Sequence, residues 1–282
     1  NVLLADLDGC GASDLLYLTP DAVRIYLNRS GNGFAATPLL LPWPAGVQHD
    51  ERCQVSLADV RGQGVVSLVI SVMHPRPRHW IYDFFDAKPG LLRYTCNNLG
   101  TVAQVRYRSS AQEWLDEKKE LEDAGTRAVS RLPFTLDVVK QHMQHDEITG
   151  NTLTQHLSYR QAYYAADERA FHGFGLVLQR DSDLPAGGLL SKRWFHTGQA
   201  LDMPRDGYST HDPDEITLGP TLLGQPTTPN TAQPTDHQDR LITAPTLQEG
   251  REAAYALRGL PLREELFALD AADGVPFSVQ QH

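Results

Sequence analysis

Two stretches 53 residues apart carry one pattern, and a chain that repeats itself at such a period has few ways to fold. Residues 4–18 read LADLDGCGASDLLYL and residues 57–71 read LADVRGQGVVSLVIS. Both follow L-A-D-[LV]-x-G-x-G, with apolar strands flanking the glycines. Periods of about 40 to 50 residues mark propellers and similar arrays, in which each unit is a small antiparallel sheet. Between the two copies Val23, Ile25 and Leu27 alternate with Arg24, Tyr26 and Asn28, the pattern of a half-buried strand. NRSGNGF (28–34) then supplies glycines for a turn.

The first copy raises the question of calcium. Asp6, Asp8 and Asp14 fall at the first, third and ninth positions of a loop bent by glycine, the rhythm of oxygen ligands around a hard cation. These three are the candidate metal ligands, and calcium is the candidate cofactor. The fifth ligand position holds Cys10, a soft thiol. The other reading is that the aspartates accept from backbone N–H groups of the turn. The second copy has Arg61, Gln63 and Ser67 where ligands would stand, so the glycines recur while most of the ligand set does not. That favours a structural turn.

Composition narrows the class. A formal net charge of −10 excludes a basic nucleic-acid groove. No apolar run approaches the ~18 residues of a membrane span, and no signal peptide is present. The chain lacks an initiator Met and stops at PFSVQQH, so an internal fragment of a longer protein is expected. Cys10, Cys53 and Cys96 include no C-x-x-C pair and indicate neither a disulfide framework nor a zinc site.

Beyond about residue 85 the texture changes. Ala103, Val105 and Tyr107 alternate with Gln104, Arg106 and Arg108 as in a sheet. Ser110-x-x-Glu113 reads as a capping box opening a helix that carries Ala111, Trp114, Leu115 and Leu121, with Gly125 as its stop. DEITGN (146–151) is a turn into a strand, and YYAADERAFHGFG (163–175) continues in hairpins with aromatic corners, Trp114 and Phe174 being expected in the core. Seven prolines between Asp202 and Pro245, among many Thr and Asp, mark a mobile excursion. Thr246-x-x-Glu249 then caps a short helix with Leu247, Ala254 and Leu257, and the chain returns to strand over 257–270.

No catalytic set assembles from these residues. His142 and His145 lie in a stretch that reads as strand, where i and i+3 face opposite ways. Ser109 and Ser110 lack the glycines of a nucleophile elbow. Asp167 and Glu168 are paired carboxylates, but Arg169 beside them points to a salt-bridged hairpin corner. His196 in WFHTG reads as a packed histidine, and GFG (173–175) is too short for a phosphate loop. The chain is expected not to be an enzyme.

These blocks resemble one family. ADLDGCGASDLLYL, YLNRSGNGF, LADVRGQG, HPRPRHWIYDF, YRSSAQEWLDE, DEITGN, YYAADERAFHGFG, WFHTG and LRGLPLREE are similar, in order, to the B component of bacterial Tc (toxin complex) insecticidal toxins and to the N-terminal part of the virulence protein SpvB. One departure is Ala162, where the family's hairpin has Gly before the paired tyrosines. The resemblance implies a mainly β fold: residues 1–85 as the last blades of an FG-GAP-like β-propeller, 86–201 and 246–282 as strands of an Rhs/YD-type β-shell with a few short helices, and 202–245 as a surface loop. It also implies a secreted, non-catalytic component whose propeller docks onto and gates a channel-forming A subunit. The shell, completed by an Rhs-type C subunit, encloses an unfolded effector polypeptide. A YD-repeat contact-dependent toxin scaffold and an FG-GAP surface adhesin are the alternatives.

On this layout limited proteolysis of the chain cuts first within 202–245. First cuts among the strands of 86–201 would contradict it.

Overall fold

The alternation read from the sequence is realised as antiparallel strands. The computed structural model describes residues 1–181, 188–199, 208–209, 246–269 and 274–282. Of the expected excursion only Tyr208 and Ser209 are among them; the rest of 202–245 lies outside the described residues. The described part is mainly β with two helices, neither of them long and apolar enough to cross a membrane. It divides into two units. The first holds 1–93, 107–112 and 134–138, and the second holds 94–106, 113–133 and 139–282.

The first unit contains two consecutive meanders. β1 (Val2–Ala5), β2 (Asp14–Leu18), β3 (Ala22–Tyr26) and β4 (Leu39–Pro42) form a four-stranded sheet in chain order. β5 (Cys53–Ala58), β6 (Ser67–Val72) and β7 (Arg78–Asp83) form a three-stranded one. The 53-residue offset is kept: β2 and β6 each begin 53 residues apart, at Asp14 and Ser67. Leu7, Leu16, Leu18, Val23 and Ile25 of the first sheet region meet Cys53, Leu68 and Ile70 of the second in one buried cluster. Each such aliphatic side chain removed from water contributes about 1.5–3 kcal/mol. Leu27, expected to continue the buried alternation, lies past the end of β3 and is exposed.

The second unit is organised by one antiparallel sheet. Its strands are β8 (Tyr94–Cys96), β9 (Thr101–Ser109), β10 (Asp137–Asp146), β11 (Thr152–Ala165), β12 (Ala170–Asp181), β13 (Leu189–Phe195), β14 (Pro261–Ala268) and β15 (Ser278–Gln281), neighbours in space in the order they have in sequence. Helix α1 (Ser110–Asp123) separates β9 from β10, and α2 (Leu247–Ala256) lies between β13 and β14 in the chain. Ala162 pairs with Phe174 inside the β11–β12 ladder, and the turn falls at 166–169, so the departure from the family's Gly leaves the turn untouched. Gly175 is where β11 needs no Cβ opposite it, because one would lie 2.7 Å from Oε1 of Gln161.

Both helices form where the sequence places them, with different details. α2 opens on the expected capping box: Thr246 Oγ1 accepts from Glu249 N–H at 3.2 Å, and Glu249 Oε2 accepts from Thr246 N–H at 2.7 Å. Its buried positions are Gly250 and Ala254, while Leu247 is exposed. At α1 the cap sits one residue early. Ser109 Oγ accepts from Gln112 N–H at 3.3 Å, and Ser110 Oγ accepts instead from Leu136 N–H at 2.9 Å. The stop is as expected: Gly125 takes φ +70°, with Gly125 N–H on Glu122 C=O and Thr126 N–H on Leu121 C=O, the paired bonds of a Schellman end.

The core of the second unit differs from the expectation. Trp114 and Phe174 are only half-buried, and Trp194 is the largest fully buried side chain. From α1 a carboxylate is buried instead: Glu113 is 2% exposed. The β10–β11 register ends at Gln141 opposite His156, and beyond it α1 supplies acceptors to β11. Glu113 Oε2 accepts from Tyr159 N–H and from Arg160 Nη1, both at 3.0 Å. Glu117 Oε1 accepts from Gln161 N–H at 2.8 Å, where the backbone turns to φ +58°. Glu120 grips the same guanidinium with both oxygens, at 2.8 and 2.9 Å. Burial and the Glu113 charge push the Tyr159 phenol up to about 12, so it stays protonated and donates to Val139 C=O.

Removing Arg160 leaves the buried Glu113 charge unanswered, and removing Glu113 takes from Arg160 its buried partner and from Tyr159 N–H its acceptor. Glu113→Ala or Arg160→Ala therefore costs about 3–5 kcal/mol, whereas Glu120→Ala, at a largely exposed carboxylate, costs about 0–1 kcal/mol. Glu117 behaves oppositely, because burial raises its carboxyl above the ordinary 4.5. A raised acid contributes stability below its unfolded value and loses it as pH rises through the folded one. Glu117→Gln keeps the acceptor, so urea unfolding should find it at least as stable as wild type at pH 7, with the difference vanishing below about pH 4.5. A Glu117→Gln protein weaker than wild type at pH 7 would contradict this.

Candidate functional site

The two glycine loops are built alike, atom for atom. In the first, Asp6 Oδ1 accepts from Cys10 N–H at 3.0 Å and Asp6 Oδ2 from Gly11 N–H at 2.8 Å. In the second, Asp59 Oδ1 accepts from Gln63 N–H at 2.9 Å and Oδ2 from Gly64 N–H at 2.7 Å. Gly9 and Gly62 stand at φ +70° and +63°, and Gly11 and Gly64 at +90° and +72°. A left-handed residue is cheap only for glycine, so the turn needs glycine at both places. The aspartate that opens each loop is what closes it.

The sequence-predicted ligands divide. Asp6, Asp8 and Cys10 bring ligand atoms within 4.8 Å of one another, the one such grouping among the described residues. Asp14 is not part of it: buried to 1%, it accepts from Leu7 N–H at 3.1 Å and from Asn28 N–H at 2.7 Å. Asp8 Oδ1 accepts from Cys10 N–H at 3.0 Å. The interaction of the Cys10 and Asp8 side chains holds the Asp8 carboxyl below its usual range and pushes the thiol up, while the thiol itself donates to Ala12 C=O at 3.8 Å. A thiol is in any case a soft ligand, poorly matched to a hard cation. Calcium needs six to eight oxygens, and among the described residues this grouping brings only two carboxylates and a thiol together, so the loop fits the cation poorly.

The remaining candidates do not converge on a reacting centre. His142 Nδ1 meets Gln155 Oε1 at 3.4 Å and His145 Nδ1 meets Thr152 Oγ1 at 2.9 Å, each along the β10–β11 pair. Glu168 pairs with His172 Nε2 at 3.0 Å rather than with Arg169, which takes the left-handed turn position at φ +53°. The other ring nitrogen of His172 lies 2.8 Å from Thr197 C=O, so the DERAFHG corner and the WFHTG turn are joined through one buried imidazole. Burial lowers His196 below the usual histidine value, and its backbone bonds Leu260 and Gly259. Sequence reasoning passed over Ser71 Oγ against His79 Nδ1 at 2.9 Å. The pair is cross-strand and exposed and, among the described residues, has no third group bonded to the ring, short of what nucleophilic catalysis requires.

The family described as the insecticide toxin TcdB middle/N-terminal region matches residues 28–197. The chain belongs to this family. Among solved structures it is similar to the Photorhabdus luminescens Tc holotoxin pore, at 37% identity and a TM-score of 0.80. Crystal structures of TcdB2-TccC3-Cdc42 and of TcdB2-TccC3 without its hypervariable C-terminal region are likewise 37% identical, with TM-scores of 0.82 and 0.81. Each likeness covers 99% of this chain and 13% of the other, so the chain spans a small part of the relatives' length. No curated protein matches it. The resemblance to the Tc B component, drawn from the quoted blocks, is thereby borne out.

Within this family segment, one set of residues carries weight in a role that the sequence did not flag. Glu113 and Glu117 act on backbone 46 and 44 residues away, and no local pattern announces such a partner. Asp59 was legible through its alignment with Asp6, since the glycines recur at the same offset. Calorimetry with calcium should show no micromolar binding at Asp6, Asp8 and Asp14. Micromolar affinity abolished by Asp8→Ala would overturn this description of the loop.

Proposed function

We propose that the chain is a non-catalytic, structural segment of the B component of a secreted bacterial toxin complex. In this reading the meanders of the first unit are blades of an FG-GAP-like β-propeller, and the eight-stranded sheet is part of an Rhs-type shell. The observation that supports it most is the loop repeat: two consecutive meanders whose turns carry identical aspartate-to-backbone bonds. A second feature agrees with it. Val2, Tyr17 and Leu40 lie in one cross-strand row, interrupted on β3 by Arg24, with Leu4 on the same face, opposite the buried cluster, and these four apolar or aromatic side chains are exposed. An apolar sheet face of that kind is what a neighbouring blade covers.

The propeller docks onto the channel-forming A subunit and gates it, while the shell, with an Rhs-type C subunit, encloses the effector polypeptide. A container has no use for a reactive interior. The acidic side chains of this segment accept from backbone amides and guanidinium groups, which fits that task. Calcium has no required part in it, and neither nucleic acid nor a membrane span enters.

The docking role is tested by a pull-down of the A subunit with the full-length parent protein, intact or lacking its propeller. Binding should be lost with the propeller. Undiminished binding by a propeller-less protein shown to be folded would refute the assignment.

A further inference from the structure

Three of the most deeply buried side chains of the second unit stand together on one sheet face. Trp194 of β13 lies directly opposite Arg263 of β14 in the register, and Glu265 follows two residues later on the same face. All three are at most 1% exposed. Arg263 Nε donates to Glu265 Oε1 at 2.7 Å. Burying such a pair is costly unless further groups answer its remaining donors and acceptors.

Here a dipeptide answers them. The ring of Tyr208 meets Trp194 edge-on, with centroids 4.9 Å apart, and the Arg263 guanidinium lies over the same ring at 4.7 Å. Ser209 N–H donates to Glu265 Oε1 at 3.1 Å, and Arg263 Nη2 donates to Ser209 C=O at 3.4 Å. The first position is thus recognised by an aromatic ring, through edge and cation–π contacts. The second is recognised by main chain alone, one N–H and one C=O held by opposite charges. That division, side chain at one position and backbone at the next, is how peptide-binding grooves read a ligand. Polar capacity is also left over: among the described residues Trp194 Nε1, Glu265 Oε2 and Ser209 Oγ are buried without a hydrogen-bond partner.

We propose that Trp194, Arg263 and Glu265 form a binding site for an aromatic–small dipeptide segment of polypeptide, filled in this chain by its own Tyr208–Ser209. The site is independent of the docking and enclosure reading. It predicts that removing the tyrosine ring in cis opens the aromatic position to a ring supplied in trans.

The probe is the capped dipeptide N-acetyl-Tyr-Ser-N-methylamide, read by saturation-transfer NMR against the full-length parent protein. Tyr208→Leu keeps apolar cover over the face but removes the ring. Saturation reaching the tyrosine ring protons of the probe should be at least about threefold stronger with this variant than with wild type, with half-saturation in the millimolar range expected of so small a ligand. A capped Ala-Ser dipeptide should show no such difference. Equal transfer to wild type and variant, or equal transfer from the Ala-Ser probe, would mean that Tyr208 is ordinary core packing and would overturn the proposal. Should Tyr208→Leu fail to fold by circular dichroism, Tyr208→Met, which also lacks a ring, carries the same comparison and the same two outcomes.

Discussion

Glu113 leaves α1 to reach the backbone N–H of Tyr159, 46 residues on, and the second unit depends on that reach. β11 runs past the end of its pairing with β10. Main-chain donors left there in a buried place would each cost about 1–3 kcal/mol. Glu113 and Glu117 accept from two of them, and Arg160 balances the charge that this brings in. A helix that would otherwise sit on the sheet through an apolar stripe sits through its acids, which is why Trp114 and Leu115 are left partly or largely exposed.

The same device recurs through the molecule. Asp6 and Asp59 close their turns on pairs of amides, Asp14 ties β1's exit to Asn28, and Glu265 holds the amide of Ser209. Carboxylates that accept from N–H make charge-assisted bonds, roughly twice as strong as neutral ones. The acid excess behind the net charge of −10 is therefore in good part structural. The amides that such carboxylates accept from hold them to the turn or strand they close.

Much of this was legible because it is local. Strand alternation over 101–109, the glycine stop of α1 and the Thr246–Glu249 box are settled within a few residues of sequence, and the structure keeps them. The 53-residue offset survives as matching hydrogen bonds because glycine and aspartate there answer backbone geometry, which sequence records directly. What failed was non-local. Ser110 looked like a cap until Leu136 claimed its hydroxyl. Glu168 sat next to Arg169 but found His172, since a left-handed turn points Arg169 elsewhere. Trp194, rather than Trp114, fills the core because burial depends on which face a neighbour covers, and periodicity gives the face without the neighbour.

The central claim is that carboxylates stand in for missing ladder partners. Native-state hydrogen exchange at the amides of Tyr159 and Gln161 tests it most directly. Both should be protected to the level of amides within the β11–β12 ladder, and Glu113→Ala should release Tyr159 by orders of magnitude more than it releases Leu176 or Leu178 of β12. Exchange of Tyr159 and Gln161 in the wild-type protein at the rate of exposed loop amides would contradict the account.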